Sequence, residues 1–244
     1  MKYNDLVAVA ALMVLGSTIA NAQGRGKDRG KDRDDEHHNP PAQRQVSPQE
    51  QQRRIAEEQK RQTDYQRSLD AQVRAAQART AQIQAQQRTR AQLEAHERYV
   101  QELQQQQEQL RRQRDYAHDP YVTAAPAYRY RFNGVARETN QYGADALRAA
   151  VNNGYRVGYQ QGQADRSDGV SSNYRRSFAY QDANYGYNGS YIAQSDYNYY
   201  FRQGFSRGYS DGYGSRLRYG ALSNGSASIL SNILSGILGL TTIH

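Results

Sequence analysis

The chain has 244 residues, a net charge of +8, no cysteine and no tryptophan. Mean hydropathy is −1.03, and the hydrophobic residues, 37% of the chain, include many Ala and Tyr. This excludes disulfides and cysteine chemistry, and it supplies too little Leu, Ile, Val and Phe for one large compact globule. The predicted fold class is mainly α: a leader, a disordered charged segment, a long polar helix with a weak coiled-coil pattern, and a small Gly/Tyr-rich helical pair with long loops.

Residues 1–22 read as a signal peptide. Lys2 gives a positive start, Leu6 to Leu15 is an apolar run, and Ala20-Asn21-Ala22 is a small-x-small cleavage site before Gln23. The run is too short to span the ~30 Å hydrocarbon core of a bilayer. Export across the inner membrane is expected, to the periplasm, outer envelope or extracellular space. Residues 23–46 read as a disordered charged linker, because a Gly/Lys/Asp/Arg repeat has nothing to bury. Asp34-Asp35-Glu36-His37-His38 within it lacks the fixed geometry a metal site needs.

Residues 47–118 read as one long helix. Ser47 can cap it, Pro48 suits the first position, and Glu50 can complete a capping box. Neither Pro nor Gly interrupts the Gln, Ala, Arg and Glu that follow until Pro120, so the helix would reach about 100 Å. Leu69, Val73, Ala76 and Ile83, then Leu93, Val100, Leu103 and Leu110, mark a broken heptad seam whose register slips near residue 90. Self-association through this seam and a solvated single helix both remain open.

Residues 119–226 form a different region. Seventeen of the 21 tyrosines lie after residue 117, which sets it apart in composition. Tyr128-Arg129-Tyr130-Arg131-Phe132 followed by Asn133-Gly134 predicts a strand and turn. An internal repeat follows: Tyr155-Arg156-Val157-Gly158-Tyr159 through Gly162 and Asp165 recurs as Phe201-Arg202-Gln203-Gly204-Phe205 through Gly208 and Asp211. At 100° per residue, Gly154, Gly158, Gly162 and Asp165 share one helix face with Leu147 and Val151, flanked by Tyr155 and Tyr159. Gly204, Gly208 and Asp211 share another with Tyr197 and Tyr200, edged by Phe201 and Phe205. Each interior glycine costs about 1 kcal/mol of helix stability, which close helix packing can offset. Asp165 and Asp211 end their helices, where the dipole disfavours a carboxylate. Antiparallel packing, which would set each beside the other's start, is therefore expected. The linker over 168–196 includes an Asp182-Ala183-Asn184 spacing, but Gly186 and Ala193 break the calcium-loop pattern, leaving turns that present tyrosines. Residues 227–244 read as an amphipathic tail with Ile229, Leu230, Ile233, Leu234, Ile237, Leu238 and Leu240 in one stripe, to be covered by the module, a membrane surface or a second copy.

On these repeats, Tyr128 to Phe132, Tyr180 to Tyr187 and the apolar tail, the region from about 117 to 240 resembles a group of exported proteins of soil bacteria with no established activity. The resemblance implies an exported protein and no catalytic residue. The glycine stripes also look like the glycine-zipper motifs of some envelope proteins, a less specific likeness.

No nucleophile elbow, phosphate loop or His-Glu-x-x-His motif occurs, and the five histidines lie in regions expected not to position them. No enzyme, cofactor or small-molecule substrate is therefore expected. The leading expectation is a non-catalytic exported structural or scaffolding protein that homo-oligomerises through the long helix or the tail. The alternative is a binding module for an acidic polymer or membrane surface, with Arg129, Arg131, Arg175 and Arg176 contacting anions beside tyrosine faces.

Overall fold

The computed structural model describes residues 46–85, 90–112 and 114–243. The expected leader and nearly all of the charged linker lie outside them. The described chain is mainly helical, with two small antiparallel sheets.

The expected single helix is corrected to two, α1 (Pro48–Ala85) and α2 (Arg90–Arg111). They fold back as an antiparallel pair, since Gln62 Nε2 donates to the Leu110 carbonyl at 3.1 Å and His96 Nε2 meets the Ala76 carbonyl at 2.9 Å. The slip near residue 90 was therefore the return point of a hairpin. Leu69, Val73, Ala76 and Ile83 are buried, as are Tyr99, Leu103 and Leu110, so the chain itself covers the seam offered for self-association. The Ser47 cap forms, accepting from the Glu50 N–H at 3.3 Å. The reciprocal half of the box does not, because Arg53 and Arg54 hold the Glu50 carboxylate at 2.7 and 3.0 Å.

A short helix, α3 (Pro120–Thr123), leads into the hairpin of β1 (Tyr128–Phe132) and β2 (Val135–Thr139). Asn133 (φ 48°) and Gly134 (φ 81°) supply the two left-handed residues that this turn requires. Asn140 then caps α4 (Gln141–Ser167), its side chain accepting from the Gly143 N–H.

The core is α4 packed on α6 (Gln194–Gly214). A Cβ at Gly154, Gly158 or Gly162 would run into the carbonyl oxygen of Phe201, Phe205 or Tyr209. One at Gly204, Gly208 or Gly212 would run into that of Val151, Tyr155 or Tyr159. The glycine faces therefore meet as expected, but residue numbers rise together on both helices, so the pair is parallel. The antiparallel expectation is overturned. Its premise, that the two aspartates needed helix starts beside them, fails because a tyrosine hydroxyl donates to each. The pairing also shifts one turn from the sequence repeat. Gly158 corresponds to Gly208 rather than Gly204, and Gly212 completes the second stripe.

A parallel pair needs a connection that returns along its full length. After α4 the chain forms a 3-10 turn (Tyr174–Arg176) and α5 (Phe178–Asp182), then reaches α6. Tyr197, Phe201, Phe205, Tyr209 and Tyr213, each four residues apart, form a ladder with centroid spacings of 5.9 to 6.4 Å. The connection lays Tyr174 on Tyr209, Tyr180 on Phe205 and Tyr187 on Tyr197, at 6.0, 5.5 and 5.0 Å. Such pairs contribute about 0.5–1.5 kcal/mol each beyond burial. Tyr187 also meets Tyr65 at 4.7 Å, which ties the connection to α1.

The tail packs on the module. β3 (Gly220–Ser223) and β4 (Ser226–Ile229) make a hairpin about Asn224 and Gly225, both at positive φ, so the expected boundary at 227 cuts through it. Helix α7 (Ser231–Leu238) follows, and β5 (Thr241–Thr242) joins the free edge of β1. The expected single stripe is thus divided. Ile229 is in a strand, Leu230 precedes α7, and Leu240 follows it. Ile229 and Leu238 are buried, and Ile233, Leu234, Ile237 and Leu240 lie against the core. Among the described residues no helix is long and apolar enough to cross a membrane.

Candidate functional site

Because the pair is parallel, the C-terminal ends of α4 and α6 lie side by side. Two negative dipole ends therefore converge. Asp165 and Asp211 are buried there, each accepting from a tyrosine of the other helix. Tyr209 Oη donates to Asp165 at 2.7 Å, and Tyr155 Oη to Asp211 at 2.8 Å. The Tyr219 N–H adds a bond to Asp211 at 2.8 Å. Burial first, and the carboxylates second, push both hydroxyls well above the ordinary tyrosine range, so they stay protonated donors. Each carboxylate has its own tyrosine, and nothing in the arrangement shares a proton between the two.

Arginines surround this end. Arg166, Arg175, Arg176, Arg216 and Arg218 are exposed, and Arg207 is half-buried. The accessible aromatic surface here belongs to Tyr174, Tyr213 and Tyr219, which are partly buried against the core. The Arg207 and Arg218 guanidiniums flank Tyr219 at 6.0 and 5.8 Å, and Arg175 lies 5.9 Å from Tyr174.

The expected anion contacts divide between two places. Arg175 and Arg176 belong to the basic end. Arg129 and Arg131 sit apart on β1, exposed, with Arg129 paired to Glu138 at 2.8 Å and Arg131 bonded to the Gly134 carbonyl. Between them Tyr130 turns inward and donates to Asp196 at 2.6 Å, while Tyr128 and Phe132 are partly buried. The structural residues Gly154, Gly158, Gly162, Gly204 and Gly208, with Tyr155, Tyr159, Phe201 and Phe205, all lie in the buried seam.

Beside the basic end a cleft of about 200 Å³ opens between the distal part of the α1–α2 hairpin, α4 and the start of the connection. Ile83, Ala95 and Val157 give it apolar lining from three helices. Gln92, Gln161 and Asp165 form a polar floor, where Gln161 and Gln92 donate to Asp165 Oδ1 at 2.8 and 3.4 Å. Asn173 and Arg176 stand at its rim. His96 also lines it, which corrects the expectation that no histidine is positioned. A carbonyl can only accept, so His96 Nε2 donates to Ala76 and Nδ1 keeps a lone pair. His96, Tyr99, Leu103, Gln106 and Leu110 recur at intervals of three and four and are all buried. Reading that spacing without regard to polarity would have placed His96 on the inner face.

Burial lowers the His96 pKa below its ordinary 6.5 against the opposing hydrogen bond to the Ala76 carbonyl, with smaller contributions from Arg79 in the lowering direction and from Glu97 and Asp182 in the other. The unfolded chain therefore takes up the proton first as pH falls. The stabilising effect of the neutral ring is complete above about 6.5 and declines as pH drops toward the depressed folded value. Urea unfolding between about pH 7.5 and pH 5.5 should show a loss of stability that His96→Gln reduces. Equal losses in both proteins would contradict this account of the ring.

Among the described residues no three His, Asp or Glu side chains converge as a metal site. No protein-family model, curated protein or solved structure matches the chain.

Proposed function

We propose that this is an exported, non-catalytic binding module for acidic polymers, a class that includes cell-wall glycan, lipopolysaccharide and extracellular nucleic acid. The carrying observation is the basic end of the parallel pair. Its arginines face solvent, while the aspartates of the same end are turned inward onto tyrosine hydroxyls. Positive charge thus stands without exposed negative charge from those two residues, beside partly exposed tyrosine rings. Arginine suits phosphate and carboxylate groups, and tyrosine faces suit sugars or bases. A scaffolding role is the second reading, supported by the dense seam. It no longer has a long single helix to serve as spacer.

Affinity for an acidic polymer should fall steeply with salt, because bound cations are released as arginines replace them. Replacing Arg175 and Arg176 together with Gln should weaken binding and flatten the log–log salt dependence by about 1.5–2. Binding indifferent to salt, or no binding at low salt, would overturn the proposal.

A further inference from the structure

The cleft beside the basic end has the chemistry of a sugar site. We propose that it holds one acidic sugar unit, which makes the polymer an acidic polysaccharide. This inference rests on the acidic-polymer reading and narrows it to one class.

Size is the first argument. At about 200 Å³ the cleft is below the ~300–1,000 Å³ usual for drug-sized ligands, so it suits a single ring. Lining chemistry is the second. Gln92, Gln160, Gln161, Asn173 and Ser171 all line it, and each such side chain can both donate and accept. Sugar hydroxyls also do both, and few other small ligands require so many two-way partners. Asp165 Oδ1 fixes two of these amides, accepting from Gln161 at 2.8 Å and Gln92 at 3.4 Å. Ile83, Ala95 and Val157 add apolar lining, suited to the C–H face of a ring.

Charge selects an acidic unit. Arg176 is exposed at the rim, and its guanidinium makes no ion pair or hydrogen bond among the described residues. A sugar carboxylate seated at the rim would give it a charge-assisted, bidentate partner. Arg175, the next residue, would meet the neighbouring unit of the polymer.

Stacking geometry disfavours a nucleobase. Three aromatic rings line the cleft, and His96 is buried with its ring against Tyr99 and Phe178; the other two are engaged as well. The Arg79 guanidinium lies over Phe178 at 4.2 Å, and His96 meets that ring edge-on at 5.8 Å. Tyr99 is buried, with its hydroxyl donating to Asp182 at 2.6 Å. None of the three rings offers the open face a base needs.

The test titrates the full chain with trigalacturonate, with uncharged maltotriose and with oligo-dT. Ala95→Leu fills the cleft without removing a polar group, and Arg176→Gln removes the rim charge. Trigalacturonate should bind at least about tenfold tighter than maltotriose, the worth of one charge-assisted bond. Ala95→Leu should weaken trigalacturonate at least about tenfold while leaving oligo-dT unchanged, and Arg176→Gln should weaken trigalacturonate at least about tenfold while leaving maltotriose unchanged. If Ala95→Leu does not fold, Gln160→Leu, on the exposed edge of the same cleft, takes its place. Trigalacturonate and oligo-dT bound alike, both unaffected by the cleft variant, would overturn the sugar site and leave the basic face standing. Failure of every acidic ligand to bind at low salt would overturn both.

Discussion

Gly208→Ala should lower the stability of the folded unit by at least about 3 kcal/mol, and melting temperature by roughly 10 °C. In an exposed helix the same change stabilises by up to about 1 kcal/mol, because alanine loses less chain entropy on folding. Here the new methyl meets the Tyr155 carbonyl and its backbone, not the movable end of a side chain. The helices must separate, and the ladder and its covering tyrosines separate with them. Gly236→Ala is the internal control. Gly236 is inside α7 with open space where a Cβ would stand, so this variant should hold or raise stability. Equal effects at the two sites, measured by thermal and urea unfolding, would refute the close approach of α4 and α6.

Deletion of residues 227–244 has the second largest expected effect. It removes β4, α7 and β5 together, and so uncovers β3, one edge of β1 and the core around Tyr200. That tyrosine donates to the Arg131 carbonyl at 2.7 Å and lies 3.5 Å from the Leu238 carbonyl. Two large buried aliphatic side chains are lost, Ile229 and Leu238, worth about 1.5–3 kcal/mol each when covered, along with the smaller Ala227. Four partly covered ones go with them. The truncated protein should melt about 10 °C or more below the full chain. Leu238→Ala alone should cost about 2–5 kcal/mol. A truncated protein of unchanged stability that instead loses liposome binding or oligomeric state would show that the tail serves another surface.

What the sequence made legible was short-range chemistry. Asn133-Gly134 announced a hairpin because two consecutive left-handed residues have few other uses. Asn224-Gly225 carries the same dipeptide and the same φ pattern, but the aliphatic run after it reads as a helix stripe and hides the strand. The glycine faces were legible because four-residue spacing fixes a helix side. Their direction was not, because it depends on what the long connection does. The dipole argument weighed a real but small effect, about 0.3–1 kcal/mol at a helix end, against hydrogen bonds from tyrosines whose positions the sequence does not reveal. The hairpin of α1 and α2 was missed for a related reason. Uninterrupted helix formers describe local preference, and the buried Glu58, Gln92, His96 and Gln106 look polar until their partners are known. The cleft unites three separated segments, none of which carries a motif.

The parallel glycine seam also governs the order in which the chain can fold. An antiparallel pair starts its contacts beside the turn and closes like a zip. In a parallel pair no contact is local. When Gly158 first meets Phe205, a loop of roughly fifty residues must close, at an entropic cost of about 3–4 kcal/mol. The α1–α2 and β1–β2 hairpins have no such barrier and can form early. The seam must wait until the returning connection lays its tyrosines on the ladder. This mainly helical protein should therefore fold with the slower kinetics of a fold rich in long-range contacts, and the tyrosine connection, more than either glycine helix, should set the rate.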